Sequence, residues 1–465
     1  MKGGVELDIE VVKKLIADHA AGHQVVILNA EMADRYYRKK NDILTKKPST
    51  DSENPMRNAD NRIPSNFYGL LVNQKASYLF SDPPLFDVGN KEANARIAES
   101  LGDGYAKACK GLCINASNAA VGWLHVWAGS DGKFRYGVVP SEQVIPIWSS
   151  DLDKRLIAVM RTYSTVDDDG VTYTVYEYWT DTECTAYQRK EDAPLDYLTE
   201  RRMFYTGIGV ETAQLSNEFR HNWGEVPFIP FFNNESQTSD LDMIKELVDA
   251  YDKVFSGFLN DLEDIQEIIF VLSGYGGTDL KEFIQNLKRS KAIKVDPIDE
   301  NSKPGVETLT INIPVEAREK MLTITRKAIF EQGQGIDPDP QNFGNSSGVA
   351  LKFLYSLLEL KSSLMETEFR LGFGRLVRMI CKHLNISPKK INQTWTRTAV
   401  TNDEELSNIA ASSTGVISQR TILRRHPWVD DPEEEQEQLD REQETDGKPQ
   451  LTFRKDGDPV NVGGE

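Results

Sequence analysis

The sequence has 465 residues, of which 39% are hydrophobic and 27% charged, with a formal net charge of −18. This length allows two to four domains. The acidic balance argues against a protein that grips nucleic acid tightly, because neutralised phosphates supply most of the affinity of such binders. Residues 1–19 are charged and lack an apolar core, so we expect no secretion signal. No apolar run approaches the length of a membrane span, so we expect no membrane association.

The first 120 residues are predicted to be mainly helical. Val11, Leu15 and Ile16 keep a period of 3.6 residues, and residues 66–80 form a second amphipathic helix. Between them, residues 46–62 are polar and contain two prolines, which is typical of a loop.

From Val121 onward the pattern changes to strands. Two pairs of strand-like segments flank turns that contain Asp-Gly: 121–127 with 134–139, and 155–165 with 171–180. Residues 183–189 and 202–206 continue this meander. Residues 224–234 contain two prolines, so they are predicted to form an edge strand or an extended segment.

Two helices follow, separated by a small α/β insert. Apolar residues keep helical spacing over 240–265, which would give a rod of roughly 39 Å that Ser239 or Thr238 can cap. Between Ser239 and Glu267 there are nine acidic residues and two lysines. The second helix begins at Pro314 and runs to Gln332. Five apolar residues lie on one face of this second helix: Ala317, Met321, Ile324, Ala328 and Ile329.

Residues 333–348 contain four glycines and two prolines and are predicted to form a long loop. A helix of about 36 residues, 349–384, follows, with a kink expected at Gly372 and Gly374. Short helices at 401–411 and 418–425 then precede an acidic run, and the tail is predicted to be disordered.

The motifs that would indicate an enzyme or a metal protein are absent or incomplete. There is no phosphate-binding Gly-x-x-x-x-Gly-Lys-Ser/Thr loop and no Gly-x-Ser-x-Gly nucleophile turn. Cys109 and Cys113 share a helix face, and His19 and His23 are four residues apart, but no further ligands stand at metal-binding spacing near either pair. We therefore expect no catalytic residues, no metal and no cofactor.

The order of elements in the second half is the most informative feature. An acidic helix, a small α/β insert, a helix opened by proline and a loop rich in Gly and Asn lead to residues 345–353, Asn-Ser-Ser-Gly-Val-Ala-Leu-Lys-Phe. This order resembles the portal proteins of tailed bacteriophages, in the branch found in long-tailed phages of Gram-positive bacteria. Supporting segments are 78–84, 139–148, 226–234 and 421–423.

The resemblance implies an α+β portal fold and a non-enzymatic, dodecameric head-to-tail connector. It implies the following regions: a wing of N-terminal helices and β-hairpins (1–238), two stem helices (239–267 and 314–335), a clip (268–313), a tunnel loop (336–348), a long kinked wing helix (349–400), a helical crown (401–446) and a tail (447–465).

The resemblance also implies site residues and partners. The tunnel-loop candidates are Gln341, Asn342, Phe343, Asn345, Ser346 and Ser347. The candidates for the channel face of the stem are Asp249, Asp252, Asp261, Lys320, Arg326 and Lys327, and those for partner contacts in the clip are Lys281, Lys288 and Arg289. The implied partners are further copies of the chain, double-stranded DNA held transiently, the terminase large subunit, a head-completion adaptor, and the major capsid and scaffolding proteins. The implied location is the portal vertex of the virion, with assembly in the cytoplasm of the bacterial host.

Two questions stay open at this point. The acidity of the first stem helix fits a channel wall from which DNA slides freely, but it also fits an ordinary solvated helix face. The glycine-rich loop fits a moving DNA contact, but it also fits a mobile connector. The competing classes of protein are another ring or adaptor protein of the virion and an unrecognised intracellular hydrolase.

Overall fold

The computed structural model describes residues 9–45, 59–205, 214–221, 223–265, 269–273, 305–309, 314–339, 348–397, 403–423, 426, 428–429 and 431–446. The helices in these ranges are α1 (Ile9–Tyr37), α2 (Phe67–Leu79), α3 (Lys91–Leu101), α4 (Tyr105–Ala119), α5 (Lys245–Ile265), α6 (Val315–Gln332), α7 (Gly348–His383), α8 (Asp403–Ser412), α9 (Gln419–Leu423) and α10 (Pro432–Asp446). None of these helices combines the length and the apolarity needed to cross a bilayer.

The strands in the same ranges are β1 (Leu85–Asp87), β2 (Val121–Ala128), β3 (Phe134–Val139), β4 (Val144–Trp148), β5 (Leu156–Val166), β6 (Thr172–Trp179), β7 (Glu183–Lys190), β8 (Thr199–Glu200), β9 (Met203–Tyr205), β10 (Gln214–Ser216), β11 (Glu218–Arg220), β12 (Phe228–Phe232), β13 (Ile269–Ser273), β14 (Gly305–Leu309) and β15 (Asn392–Thr394). Helices and strands occur in the same compact unit, as an α+β fold requires.

The chain divides into two compact units. The first unit consists of Met1–Asp337 and Leu357–Arg397, and the second of Pro338–Ser356 and Thr398–Glu465. The first unit contains the strands β1 to β15 and the helices α1 to α6.

Both predicted hairpins are confirmed. β2 pairs antiparallel with β3 around the turn at Asp131, and β5 pairs antiparallel with β6 around the turn at Asp169. The first hairpin belongs to a three-stranded sheet of order β12-β2-β3, so β12 is an edge strand, as the two prolines of residues 224–234 predicted. The second hairpin lies in a six-stranded sheet of order β11-β7-β6-β5-β4, with β8 beside β7.

The main apolar core of the first unit forms between α7 and the elements α2, α4, β2 and β12. Met365, Phe369 and Phe373 recur every four residues, so they share one face of α7, and all three are buried. The ring of Phe231 on β12 lies 5.1 Å from Phe369 and 4.9 Å from Phe373, both in edge-to-face geometry. Such aromatic pairs contribute about 0.5–1.5 kcal/mol each beyond the area they bury.

Gly372 serves close packing, and the kink expected there stays a prediction. α7 continues through Gly372 and Gly374 without interruption. A Cβ atom at Gly372 would lie 2.5 Å from the ring of Phe231, whereas one at Gly374 would meet only the ends of the Arg378 and Gln393 side chains at 3.4 Å. The absence of a side chain at Gly372 therefore lets the sheet approach the helix.

Replacing Gly372 with alanine should lower the free energy of unfolding by about 1–3 kcal/mol, because the new methyl group overpacks the site. This loss should appear although alanine favours a helix by about 1 kcal/mol over glycine. Urea unfolding followed by circular dichroism measures the change. Gly374→Ala is the matched control and should be neutral or stabilising; equal effects at both positions would contradict this account.

The buried cysteines and histidines of the first unit have structural surroundings. Cys109, Cys113, Cys184 and Cys381 are buried and free. His125 packs against the rings of Phe228 and Trp179, and its Nδ1 lies 2.9 Å from the carbonyl oxygen of Pro227. Burial lowers the pKa of His125 to about 4, so the ring is neutral at physiological pH.

The acidic run near the C-terminus begins a helix, α10, that the sequence pattern did not predict. Pro432 opens the helix, and the Asp431 carboxylate accepts hydrogen bonds from the backbone N–H groups of Glu433 and Glu434. Arg420 on α9 forms an ion pair of 2.7 Å with Glu433. Among the described residues of the predicted crown, α8, α9 and α10 are helical, while the predicted tail 447–465 lies outside the described residues.

Candidate functional site

The two predicted stem helices, α5 and α6, pack against each other in the first unit. Phe67 lies between them at one end, with its ring 4.9 Å from Tyr251 on α5 and 5.8 Å from Phe330 on α6. Further along, the Arg318 guanidinium of α6 forms an ion pair with Asp261 of α5. The helix pair is therefore fixed by an apolar contact at one end and by a charged contact at the other.

α5 begins five residues later than the 240–265 helix that the sequence predicted. A 3-10 turn, Leu241–Met243, precedes it. The Ser239 hydroxyl accepts a hydrogen bond from the Asp242 N–H, and the Asp242 carboxylate accepts one from the Ser239 N–H. This reciprocal arrangement is a capping box. It confirms Ser239 as the cap, although the capped element is the short turn.

Asp252 does not lie on an exposed helix face, and its prediction as a channel-facing residue is wrong. Its side chain is fully buried and accepts hydrogen bonds from the Asn41 amide at 2.6 Å and the Ser65 backbone N–H at 2.8 Å. Burial raises the pKa of this carboxyl group. Asp252 therefore attaches α5 to the polar segment that joins α1 to α2.

The other two predicted aspartates are also engaged within the subunit. Asp249 accepts a hydrogen bond from the Tyr36 hydroxyl and forms an ion pair of 2.7 Å with Lys245. Burial and the hydrogen bond to Asp249 raise the pKa of Tyr36. Asp261 is held by Arg318, as described above. About a third or less of each carboxylate-bearing side chain stays exposed.

The three predicted cations lie on α6 in different situations. Lys320 and Lys327 are exposed. Lys327 lies 3.6 Å from Glu331, which is a weak surface pair. Arg326 instead forms an ion pair of 2.6 Å with Asp337, beyond the end of the helix.

The predicted clip and tunnel-loop residues cannot be placed. Lys281, Lys288 and Arg289 lie outside the described residues, and so do the tunnel-loop candidates Gln341, Asn342, Phe343, Asn345, Ser346 and Ser347. Of the predicted clip, β13 and β14 are described, and they pair antiparallel, with Ile269 opposite Leu309. The chain that leaves α5 and the chain that enters α6 are thus joined as a two-stranded ribbon.

The segment that leads from α6 towards the predicted tunnel loop is anchored by α2. The Gln74 side chain donates a hydrogen bond to the Ile336 carbonyl at 2.7 Å and accepts one from the Ile336 N–H at 3.0 Å. A Cβ atom at Gly335 would lie 2.1 Å from Leu71, so the backbone packs directly on α2. Together with the ion pair between Arg326 and Asp337, these contacts fix the chain up to Asp337.

A buried charge cluster lies beside this anchor. The Asp240 carboxylate is 2.6 Å from the Lys75 ammonium and 3.1 Å from that of Lys361, and all three side chains are less than a tenth exposed. The Asn233 side chain bonds to both Lys75 and Asp240, and Lys361 also donates to the Gly333 carbonyl at 3.0 Å.

The two lysines of the cluster keep Asp240 ionised although its carboxylate is buried. Burial alone would raise the pKa of Asp240, but the adjacent Lys361 and Lys75 outweigh it and hold the pKa well below its usual range. Sequence reasoning did not predict this cluster. Its only local signal is Lys75, a lysine on the otherwise apolar face of α2 that contains Leu71, Val72 and Leu79.

Chemically, these side chains position the segments that they join. Among the described residues no group of three or more His, Cys, Asp or Glu side chains could hold a metal ion.

Replacing Gln74 with alanine should release the anchored segment. Losing both hydrogen bonds to Ile336 should cost about 1–3 kcal/mol locally, since each neutral bond contributes about 0.5–1.5 kcal/mol. Amide exchange of a peptide covering residues 333–337 should then accelerate by about tenfold or more, as measured by mass spectrometry. Ser77→Ala, an exposed position on the same helix, should leave this exchange unchanged; an unaltered rate in Gln74→Ala would show that the anchor lies elsewhere.

Comparison with known proteins gives a consistent family. Residues 18–449 match the family described as "Phage portal protein, SPP1 Gp6-like". The chain is 42% identical over 446 residues to the portal protein of Clostridium phage phiCD119, covering 92% of this chain and 94% of the relative. It is 29% identical over 452 residues to the portal protein of Bacillus phage SPP1, covering 94% and 87%. A chain in a solved structure titled "Neck of empty GTA particle computed with C6 symmetry" is similar at 11% identity, with a TM-score of 0.46 over 77% of this chain and 88% of that one.

Proposed function

The chain belongs to the SPP1 Gp6-like family of phage portal proteins, and we propose that it forms a dodecameric ring at one capsid vertex, through which double-stranded DNA enters and leaves. The observation that supports this most strongly is the 42% identity to a portal protein over almost the full length of both chains. That match also favours a portal over a separate, shorter head–tail adaptor. The assigned role is structural, and no catalytic step is proposed.

In this proposal α5 and α6 are the stem helices that surround the channel. The ribbon of β13 and β14 begins the clip, which would contact the terminase large subunit during packaging and a head-completion adaptor afterwards. Lys281, Lys288 and Arg289 are the proposed clip contacts. α1 to α4 with the sheets form the wing, and α8 to α10 form the crown. Major capsid and scaffolding proteins would contact the ring during assembly in the host cytoplasm.

The tunnel loop would begin where the anchored segment ends. Gln74, Lys361 and Arg326 hold the chain through Asp337, so we propose that movement of the loop during DNA passage is confined to residues after Asp337. The proposed loop contacts Gln341, Asn342, Phe343, Asn345, Ser346 and Ser347 follow this point. Uncharged side chains there would neither trap nor repel phosphate.

The described charges refine the proposal that the stem repels DNA. Asp252 is buried, and Asp249 and Asp261 are neutralised by neighbouring cations. The carboxylates left exposed on the helices include Glu246, Glu316 and Glu319. We propose that these glutamates keep DNA affinity low, while Lys327 makes brief contacts with phosphates.

The purified full-length chain should assemble into rings with a central hole. Negative-stain class averages should show radial repeats, and mass photometry should give a species of twelve times the 52.5 kDa subunit. A neighbouring ring number would still support a portal. A chain that stays monomeric, or closes as a dimer at all concentrations tested, would contradict the proposed function.

Introducing lysine at Glu316 and Glu319 should make the channel retain DNA. With two more cations per subunit, affinity for a short duplex should rise, and the slope of log affinity against log salt should steepen by about 0.9 for each additional phosphate that the ring neutralises. Fluorescence anisotropy across salt concentrations measures both, and in vitro packaging should slow. The matched control is Glu434→Lys/Glu435→Lys in the first turn of α10, with the same charge change. Equal DNA retention by both variants would disprove a role of these stem charges.

A further inference from the structure

The apolar face that the sequence pattern identifies on α6 is largely uncovered in the subunit. Met321 and Ile324 are 47% and 55% exposed, and Ala317 is also exposed. The face that packs within the subunit includes Thr325, Ile329 and Phe330, and of these only Ile329 belongs to the face that the sequence pattern identifies. We define the α6 seam by residues at spacings of four, three and four: Ala317, Met321, Ile324 and Ala328.

α7 carries a second uncovered face. Its buried side includes Met365 and Phe369, whereas Leu360, Leu364 and Leu371 are 51%, 55% and 70% exposed. We define the α7 seam by residues at the same spacings of four, three and four: Leu360, Leu364, Thr367 and Leu371. This is the a/d spacing of helices that pack side by side.

Two different uncovered seams on one chain fit a head-to-tail interface between identical copies. A symmetric dimer uses one face twice and closes at two copies, whereas a ring needs two distinct faces that complement each other. Exposed leucine rows of this length are costly on an isolated subunit and indicate an interaction site. The α6 seam and the α7 seam are two distinct faces, and both are apolar and exposed.

The side-chain sizes select one alignment of the two seams. If Met321 is placed opposite Leu364, then both alanines of the α6 seam lie opposite leucines, and the bulky Ile324 lies opposite the small Thr367. Alternation of large and small residues across facing layers is what close packing requires.

The flanking charges support the same alignment. Glu368 has no cationic partner within the described ranges, and burial together with the nearby Glu235 carboxylate raises its pKa. Lys320 is an exposed cation that likewise lacks a partner in the residues described. With parallel helices in this alignment, Lys320 and Glu368 occupy facing g and e positions, where opposite charges attract. Lys327 would face Arg375, which Glu225 neutralises through an ion pair of 2.8 Å.

We propose that the α6 seam of one subunit packs in parallel on the α7 seam of its neighbour, with Met321 opposite Leu364 and Lys320 paired with Glu368. This inference rests on the proposed ring and adds to it the contact that joins one copy to the next. It also explains why the α6 seam, an apolar face that the sequence pattern identifies, is exposed in a single subunit.

Cysteine cross-linking tests the alignment in the assembled ring. Met321→Cys/Leu364→Cys should form disulfides between subunits on mild oxidation, giving a ladder of covalent multimers on non-reducing gels. Met321→Cys/Leu371→Cys is the matched control, because its target lies one heptad, about 10 Å, further along the helix. It should cross-link at least tenfold less. The four native cysteines are buried, so the unsubstituted chain should stay uncross-linked.

The outcomes separate this inference from the proposed function. If Met321→Cys/Leu364→Cys forms rings on micrographs but no cross-links, the seam pairing is wrong and the proposed portal ring is unaffected. Absence of rings from the unsubstituted chain would instead overturn the proposed function.

Charge reversal gives a second test that needs no oxidation. Lys320→Glu and Glu368→Lys should each reduce the ring fraction, because each places like charges across the interface. The double variant should recover most of that fraction. Both positions lie at the subunit surface, so folding should persist, and circular dichroism checks this. A double variant no better than the weaker single variant would count against the pairing.

Discussion

One carboxylate, Asp240, lies buried between the ammonium groups of Lys75 and Lys361, and five elements of the first unit meet around it. Lys75 comes from α2 and Lys361 from α7, and Asp240 lies just before α5. Asn233 follows β12, and the Gly333 carbonyl at the end of α6 accepts from Lys361. Removing one partner from such a pair typically costs about 3–5 kcal/mol, because the remaining charge stays buried without compensation. The cluster therefore sets how the start of α5 and the end of α6 are placed relative to α7.

The same cluster explains why the segment after α6 is held so closely. Lys361 fixes the Gly333 carbonyl, Gln74 fixes both backbone groups of Ile336, and Arg326 holds Asp337. Each of these contacts satisfies a polar group that would otherwise be costly to bury or leave unpaired. These contacts hold the backbone from Gly333 to Asp337 on α2 and α7.

The sequence predicted well those features that depend on local chemistry. The hairpins at Asp131 and Asp169 follow from turn residues between alternating strands, the edge position of β12 follows from the prolines of residues 224–234, and α6 begins after Pro314 as expected. Features that depend on distant residues were not predictable in this way. The burial of Asp252 requires Asn41 and Ser65, about 200 residues away in sequence, and the role of Gly372 requires Phe231. The predicted clip and tunnel-loop residues and the boundaries of the regions remain predictions.

The α6 helix shows what hydrophobic periodicity measures. Its pattern predicted a packed face containing Ala317, Met321 and Ile324, yet the subunit buries the adjacent face and leaves these residues in solvent. Periodicity reflects the environment in which a sequence must be stable, and for an assembling protein that environment includes its neighbours. A monomeric protein under the same physics would gain solubility by placing polar residues at Met321, Ile324 and Leu364. The proposed contact between the α6 seam and the α7 seam is consistent with these apolar side chains.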